Sequence, residues 1–102
     1  MSTLVADHEV FALAVVFSEN SMTVILDDGR SISAPLAWYP RLLAGTPAER
    51  ENYELIGDGE GIHWSDLDED ISVEGILAGR RSAESASSLG RWMARRNPAR
   101  EV

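Results

Sequence analysis

The sequence predicts an α+β domain: a small antiparallel sheet, made of a three-strand meander plus a short hairpin, with short helices packed on one face. A C-terminal tail, helical or disordered, follows. Three observations lead there. Apolar segments of strand length run from residue 10 to residue 34, two of them alternating with polar residues. The turn sequence Asp27-Asp28-Gly29-Arg30 joins those two. Short helix-start signals then follow at Pro40, Thr46 and Ser72.

Val10 to Phe17 is apolar throughout but alternates in size. Strand side chains point alternately to opposite faces, so the bulky odd set (Phe11, Leu13, Val15 and Phe17) is expected to face the core. Met22, Val24 and Leu26 alternate with Ser21, Thr23 and Ile25, and Ile32 and Ala34 with Ser31 and Ser33. A two-residue loop would set Val24 opposite Ser33. A three-residue loop with Gly29 left-handed sets Val24 opposite Ile32 and Met22 opposite Ala34. Only the second keeps both apolar rows on one face, so it is the predicted register.

Pro35 ends the third strand. Trp38 to Leu43 reads as a short helix with Pro40 in its first turn, which would put Trp38 and Leu42 on one face. Thr46-Pro47-Ala48-Glu49 is a capping-box start. Tyr53 to Ile56 and Ile62-His63-Trp64 read as a hairpin about the Gly57-Asp58-Gly59 turn, with Ile62 and Trp64 on one face and His63 on the other. Asp66 to Asp70 is expected to be an acidic loop. Ser72 caps a last helix through Leu77, which Gly79 ends; Gly75 weakens that helix by about 1 kcal/mol relative to alanine.

The chain has 102 residues, nine arginines, no lysine and seventeen acids, for a formal net charge of −8. That length suits one small domain. The absence of cysteine excludes disulfides and thiolate metal sites. No apolar run approaches the ~18 residues of a membrane span. Met1 to Glu9 carries two acids and no basic residue, unlike a secretory signal, so a cytoplasmic location is expected. Charge divides the chain into an α+β body over residues 1–79 and a basic tail over residues 80–102. The body holds three arginines against fifteen acids, and the tail six against two. Such a body repels phosphates, leaving only the tail to favour nucleic acid.

Four segments resemble the bacterial family called domain of unknown function 2442: Asp27-Asp28-Gly29-Arg30, Tyr39-Pro40-Arg41-Leu42, Ile62-His63-Trp64, and Leu67-Asp68-Glu69-Asp70-Ile71-Ser72-Val73. They occur in the family's order over roughly residues 9–79, with Ser65 where family members often carry proline. The resemblance implies a compact α+β domain, encoded beside a small partner and antitoxin-like. Some relatives add a helix-turn-helix, for which the residues after Gly79 are too few. It supplies no established catalytic residue.

His63 with Asp66, Asp68, Glu69 and Asp70 is the one cluster of ligand-type residues. A metal-dependent hydrolase centred there is the alternative to a binding role. The spacing does not fit a calcium loop: Ile71 stands where glycine is needed, and Leu77 where a bidentate glutamate belongs. Zinc would want more nitrogen or sulfur ligands, and the other histidine is His8. No Gly-x-Ser-x-Gly elbow occurs. Gly57 to Gly61 lacks a P-loop lysine and bears two acids. No catalytic residue, metal ligand or cofactor is therefore assigned.

Trp38 and Trp64 read as core members, with Tyr39 or one indole left for a partner surface. In the tail, Ala86, Leu89 and Met93 recur at helical spacing with Trp92 beside them, while Arg91 and Arg95 lie on another side. The tail could dock on its own body, on a second copy or in a partner groove. The expectation is a non-enzymatic, antitoxin-like module that binds a small, basic protein partner, with the product of the adjacent gene as the candidate and a homo-oligomer as an alternative. Candidate partner-binding residues in the body are Tyr39, Arg41, His63, Asp66, Asp68, Glu69 and Asp70. In the tail they are Leu89, Trp92 and Arg95. Nucleic-acid binding through Arg80, Arg81, Arg91, Arg95, Arg96 and Arg100 is a further alternative.

Overall fold

The computed structural model describes residues 9–96; His8 and Arg100 lie outside them. Strands β1 (Ala12–Phe17), β2 (Ser21–Leu26) and β3 (Ser31–Pro35) form an antiparallel meander. The predicted register holds: Val24 faces Ile32 and Met22 faces Ala34. Gly29 has φ +94°, and the Leu26 N–H donates to the Arg30 carbonyl at 2.9 Å, closing the three-residue loop. Only a residue without a Cβ takes that φ at little cost.

The parity expected for β1 fails in its first half. Ala12 pairs with Leu26 and Ala14 with Ile25, so Leu13 has no partner and forms a bulge. The extra residue shifts the alternation. Ala12 and Val15 are buried, whereas Leu13 is 60% exposed and Val16 52%.

After β3, a 3₁₀ turn (Leu36–Trp38) leads into α1 (Pro40–Ala44). Tyr39 is the N-cap of α1 and Pro40 its first residue, so Trp38 lies outside the helix and shares no face with Leu42. Helix α2 (Pro47–Glu51) starts as predicted. Thr46 Oγ1 accepts from the Glu49 N–H at 3.1 Å, and Glu49 Oε1 accepts from the Thr46 N–H at 2.9 Å.

The hairpin gains a third strand. β4 (Glu54–Ile56), β5 (Gly61–Trp64) and β6 (Glu69–Ser72) make a second antiparallel sheet, so Glu69 and Asp70 belong to a strand and not to a loop. Ile62 pairs with Ile71, His63 with Asp70, and Trp64 with Glu69. The first of these pairs is buried and supplies the apolar contact that holds an otherwise polar strand in place. Ser72 then caps α3 (Val73–Leu77) by accepting from the Gly75 N–H, and Gly79 follows with φ +76°.

The two sheets share one core. Met22, Val24 and Leu26 of β2 lie in it with Ile62 and Trp64 of β5 and Leu67 of the turn that follows. The turn Gly57–Gly59 fixes where the sheets meet. Gly59 has φ +104°, and a Cβ there would stand 2.4 Å from the Ala12 carbonyl oxygen. Helix α4 (Ala86–Arg96) closes the core from outside, with Trp92 only 4% exposed. Trp92, not Met93, leads its apolar face; Met93 is 42% exposed.

Two alanine substitutions separate conformational strain from close approach. Gly29→Ala meets no atom within 4 Å and is expected to cost about 1 kcal/mol through its φ alone. Gly59→Ala adds a backbone clash and should cost about 3 kcal/mol or more. Urea unfolding at constant m-value measures both.

Candidate functional site

The sequence-selected residues divide between two places. The first is the outer face of the second sheet. Glu54, His63 and Asp70 are cross-strand neighbours there on β4, β5 and β6. His63 Nδ1 and Asp70 Oδ1 lie 2.5 Å apart. That hydrogen bond, helped by the negative field of Glu54 and Asp68, holds the imidazole pKa above its ordinary 6.5. Asp66 and Asp68 sit on the exposed turn between β5 and β6. Asp66 accepts from Asn52 Nδ2 at 3.0 Å, and Asp68 takes a left-handed φ of 53°. Among the described residues, no group of three or more histidines and carboxylates converges as metal ligands would. The row is a histidine paired with one carboxylate and flanked by another, open to solvent.

The second place is where the tail meets the body. Arg41, half-buried on α1, donates from Nε and Nη2 to the Glu84 carboxylate at 2.8 and 2.5 Å. Its Nη1 donates to the Asp68 carbonyl at 3.0 Å and its carboxylate at 3.3 Å. The same guanidinium lies 5.0 Å from the Trp92 ring centroid, and Arg96 lies 4.8 Å from it. Arg96 in turn forks onto Glu49, at 3.1 and 2.9 Å. Trp92 is thus flanked by two cations, each held by a carboxylate. Cation–π contacts of this kind contribute about 0.5–2 kcal/mol. Ser85 starts α4 by accepting from the Ser88 N–H, and Ser88 Oγ donates to Glu84.

These contacts correct several expectations. Tyr39 and Trp92 are core residues, 3% and 4% exposed, and offer no open surface to a partner. The Tyr39 hydroxyl donates to the Arg80 carbonyl at 3.1 Å, because a buried phenol needs a partner. Leu89 packs partly buried against the same core. Residues 80–96 are therefore a strap fastened to the body and not a separate tail. Trp38, only partly buried, carries the Arg81 guanidinium 4.6 Å above its ring. Of the candidates, His63, Asp66, Asp68, Asp70 and Arg95 reach solvent. Glu49, Glu54 and Glu84 were missed, and Arg96, named only for nucleic-acid binding, instead holds Glu49. Their partners lie 9 to 47 residues away and leave no local pattern to read.

Glu69 faces inward beside Trp64, away from Asp70. Burial pushes its carboxyl up to about 6, against the downward pull of Arg41. Glu49 moves the other way: the Arg96 hydrogen bond and then the Thr46 N–H bring it down to about 2.

Two measurements check this geometry. In an NMR titration the His63 pKa should stand above that of an exposed histidine and fall back in Asp70→Asn. In hydrogen exchange, Trp92→Ala should strip protection from the α4 amides while those of β2 keep theirs. Loss throughout, or nowhere, would mean that the indole does not hold the strap.

Among curated proteins none matches this chain. Two solved structures resemble it. One is a crystal structure of a protein of unknown function from Rhodospirillum rubrum, with 25% identity and a TM-score of 0.66 over 76% of this chain and 95% of that one. The other is a solution structure of an uncharacterised protein from Chromobacterium violaceum, with 26% identity and a TM-score of 0.63 over 93% of this chain and 83% of that one. The model of the family described as "Protein of unknown function (DUF2442)" matches residues 12–82, the two sheets and the start of the strap, and the chain belongs to that family.

Proposed function

We propose that this protein is a non-enzymatic interaction module, antitoxin-like, that binds a small basic protein. One observation carries the reading. The body's arginines are all engaged within the fold, while its carboxylates face outward. Arg30 pairs with Asp28, and Arg41 with Glu84 and Asp68. Arg50 donates to the carbonyls of Leu42 and Leu43 at 2.7 and 3.0 Å. Of the body's described carboxylates, only Glu49 and Glu69 are not exposed. A surface of this kind attracts cations and steers a basic partner toward encounter. Among the described residues no helix is long and apolar enough to cross a membrane.

Co-expression with the product of the adjacent gene tests the proposal. A complex should survive purification at micromolar concentration and weaken as salt rises from 50 to 500 mM, an increase that shortens the screening length from roughly 14 to 4 Å. Absence of any complex, here and in several relatives, would refute it.

A further inference from the structure

A hollow of about 500 Å³ opens between the segment leading into β1, the Gly57–Gly59 turn and α3. Its apolar lining comes from Val10, Phe11, Ile56, Val73 and Leu77, and its charged lining is Glu9, Glu60 and Glu74. No basic side chain lines it. Ile56 is 43% exposed and Leu77 39%, so two of the large apolar side chains left open by the fold meet here. Among the described residues, none of the three glutamate side chains makes a hydrogen bond or ion pair, and all three are exposed.

The walls are held in shape. Gly59 cannot accept a Cβ against the Ala12 carbonyl, and Gly61 lies where a Cβ would press Ile56 at 3.2 Å. The Val73 N–H donates to the Glu60 carbonyl at 2.9 Å, tying the turn to the start of α3. Hollows of this size hold small ligands or one to two side chains of a partner.

An apolar floor inside a ring of carboxylates fits one chemistry: aliphatic side chains flanked by cations. We infer that this hollow is the docking site for a short segment of a basic partner, one that inserts a leucine-like side chain between Ile56 and Leu77 and sets arginine or lysine against Glu9, Glu60 and Glu74. A second copy of this chain is disfavoured by the same charges, because its acidic body would meet like charge. The inference rests on the proposed basic partner and adds where that partner docks. It leaves the Glu54–His63–Asp70 row outside the contact.

The probe is an acetylated, amidated five-residue peptide that alternates leucine and arginine, titrated into the ¹⁵N-labelled full chain. Shift changes should centre on Ile56, Gly57, Gly61 and Leu77. The double variant Glu60→Lys/Glu74→Lys should weaken binding about tenfold or more, while Glu54→Lys/Asp70→Lys leaves it nearly unchanged. A peptide with serine for leucine should bind the wild-type protein at least several-fold more weakly if the apolar floor takes part. Shifts centred on Glu54, His63 and Asp70 would overturn this site but keep the basic-partner reading. No binding, or equal binding of a leucine–glutamate peptide, would overturn the site. Failure of the basic-partner reading itself would show separately in the co-expression experiment.

Discussion

The two sheets meet at Trp64, and the geometry around that indole constrains much of the remainder. The ring is fully buried, 6.4 Å from Phe17 of β1 and 6.5 Å from Tyr53. Its N–H must find an acceptor once removed from water, and it donates to the Arg50 carbonyl at 2.9 Å. That bond sets the position of α2. The Arg50 side chain then donates to the carbonyls of Leu42 and Leu43 near the end of α1, the first of which also accepts the Gly45 N–H. Tyr53 uses its hydroxyl in the same way, accepting the Val15 N–H at 2.9 Å. One edge N–H of β1 that lacks a neighbouring strand is thus covered by a side chain packed against the indole.

A second constraint follows from charge. Arg41 and Glu84 have side chains only 13% and 11% exposed. A pair so placed gains little net from its attraction, but leaving either member alone would strand a charge in poor solvent. The strap is therefore bound in both directions: its Glu84 needs Arg41, and the body's Glu49 is held ionised by Arg96. Trp92 fills the space between the two guanidinium groups with apolar surface. Apolar burial and ion pairing thus support the same docking and do not compete for it.

How far these features were legible differs by kind. Local chemistry was readable. Gly29 and the two apolar rows determine the β2–β3 register, Thr46 and Glu49 the start of α2, and Ser72 the cap of α3. Parity on β1 was not, because one unpaired residue at Leu13 inverts it and no residue type there announces a bulge. β6 was hidden because Glu69, Asp70 and Ser72 surround a single apolar side chain, Ile71, whose partner Ile62 lies nine residues back. Tyr39 was misplaced because Pro40 as first helical residue makes its predecessor the cap and turns the phenol inward. The strap contacts were beyond reach, since Arg41 and Glu84 are 43 residues apart. Of the candidate site, the surface acids were visible from composition. Their pairing with His63, and the clustering of Glu60 and Glu74 beside an apolar hollow, required the fold.

The two shifted glutamates show how this acidic chain holds together. Glu49 lies below its ordinary 4.5, at about 2, so its contribution is full above pH 4.5 and is lost as pH falls toward 2. Glu69 lies above 4.5, at about 6, so the folded state holds its proton more tightly; that contribution is full below pH 4.5 and is lost as pH rises through 6. Near neutrality Glu69 is thus a charged carboxylate in a half-buried place, repelled by Glu84, Asp70 and Asp68 and relieved by Arg41. The strap's own cations lie within this field, Arg95 acting on Glu84 and Arg96 on Asp66. An arginine-rich segment on an acidic body lowers the self-repulsion that a surplus of carboxylates imposes on any compact state. The formal charge of −8 is what remains after that internal compensation. Among the described residues, exposed carboxylates lie on faces the strap does not cover, the β4–β6 row and the rim of the hollow beside α3 among them.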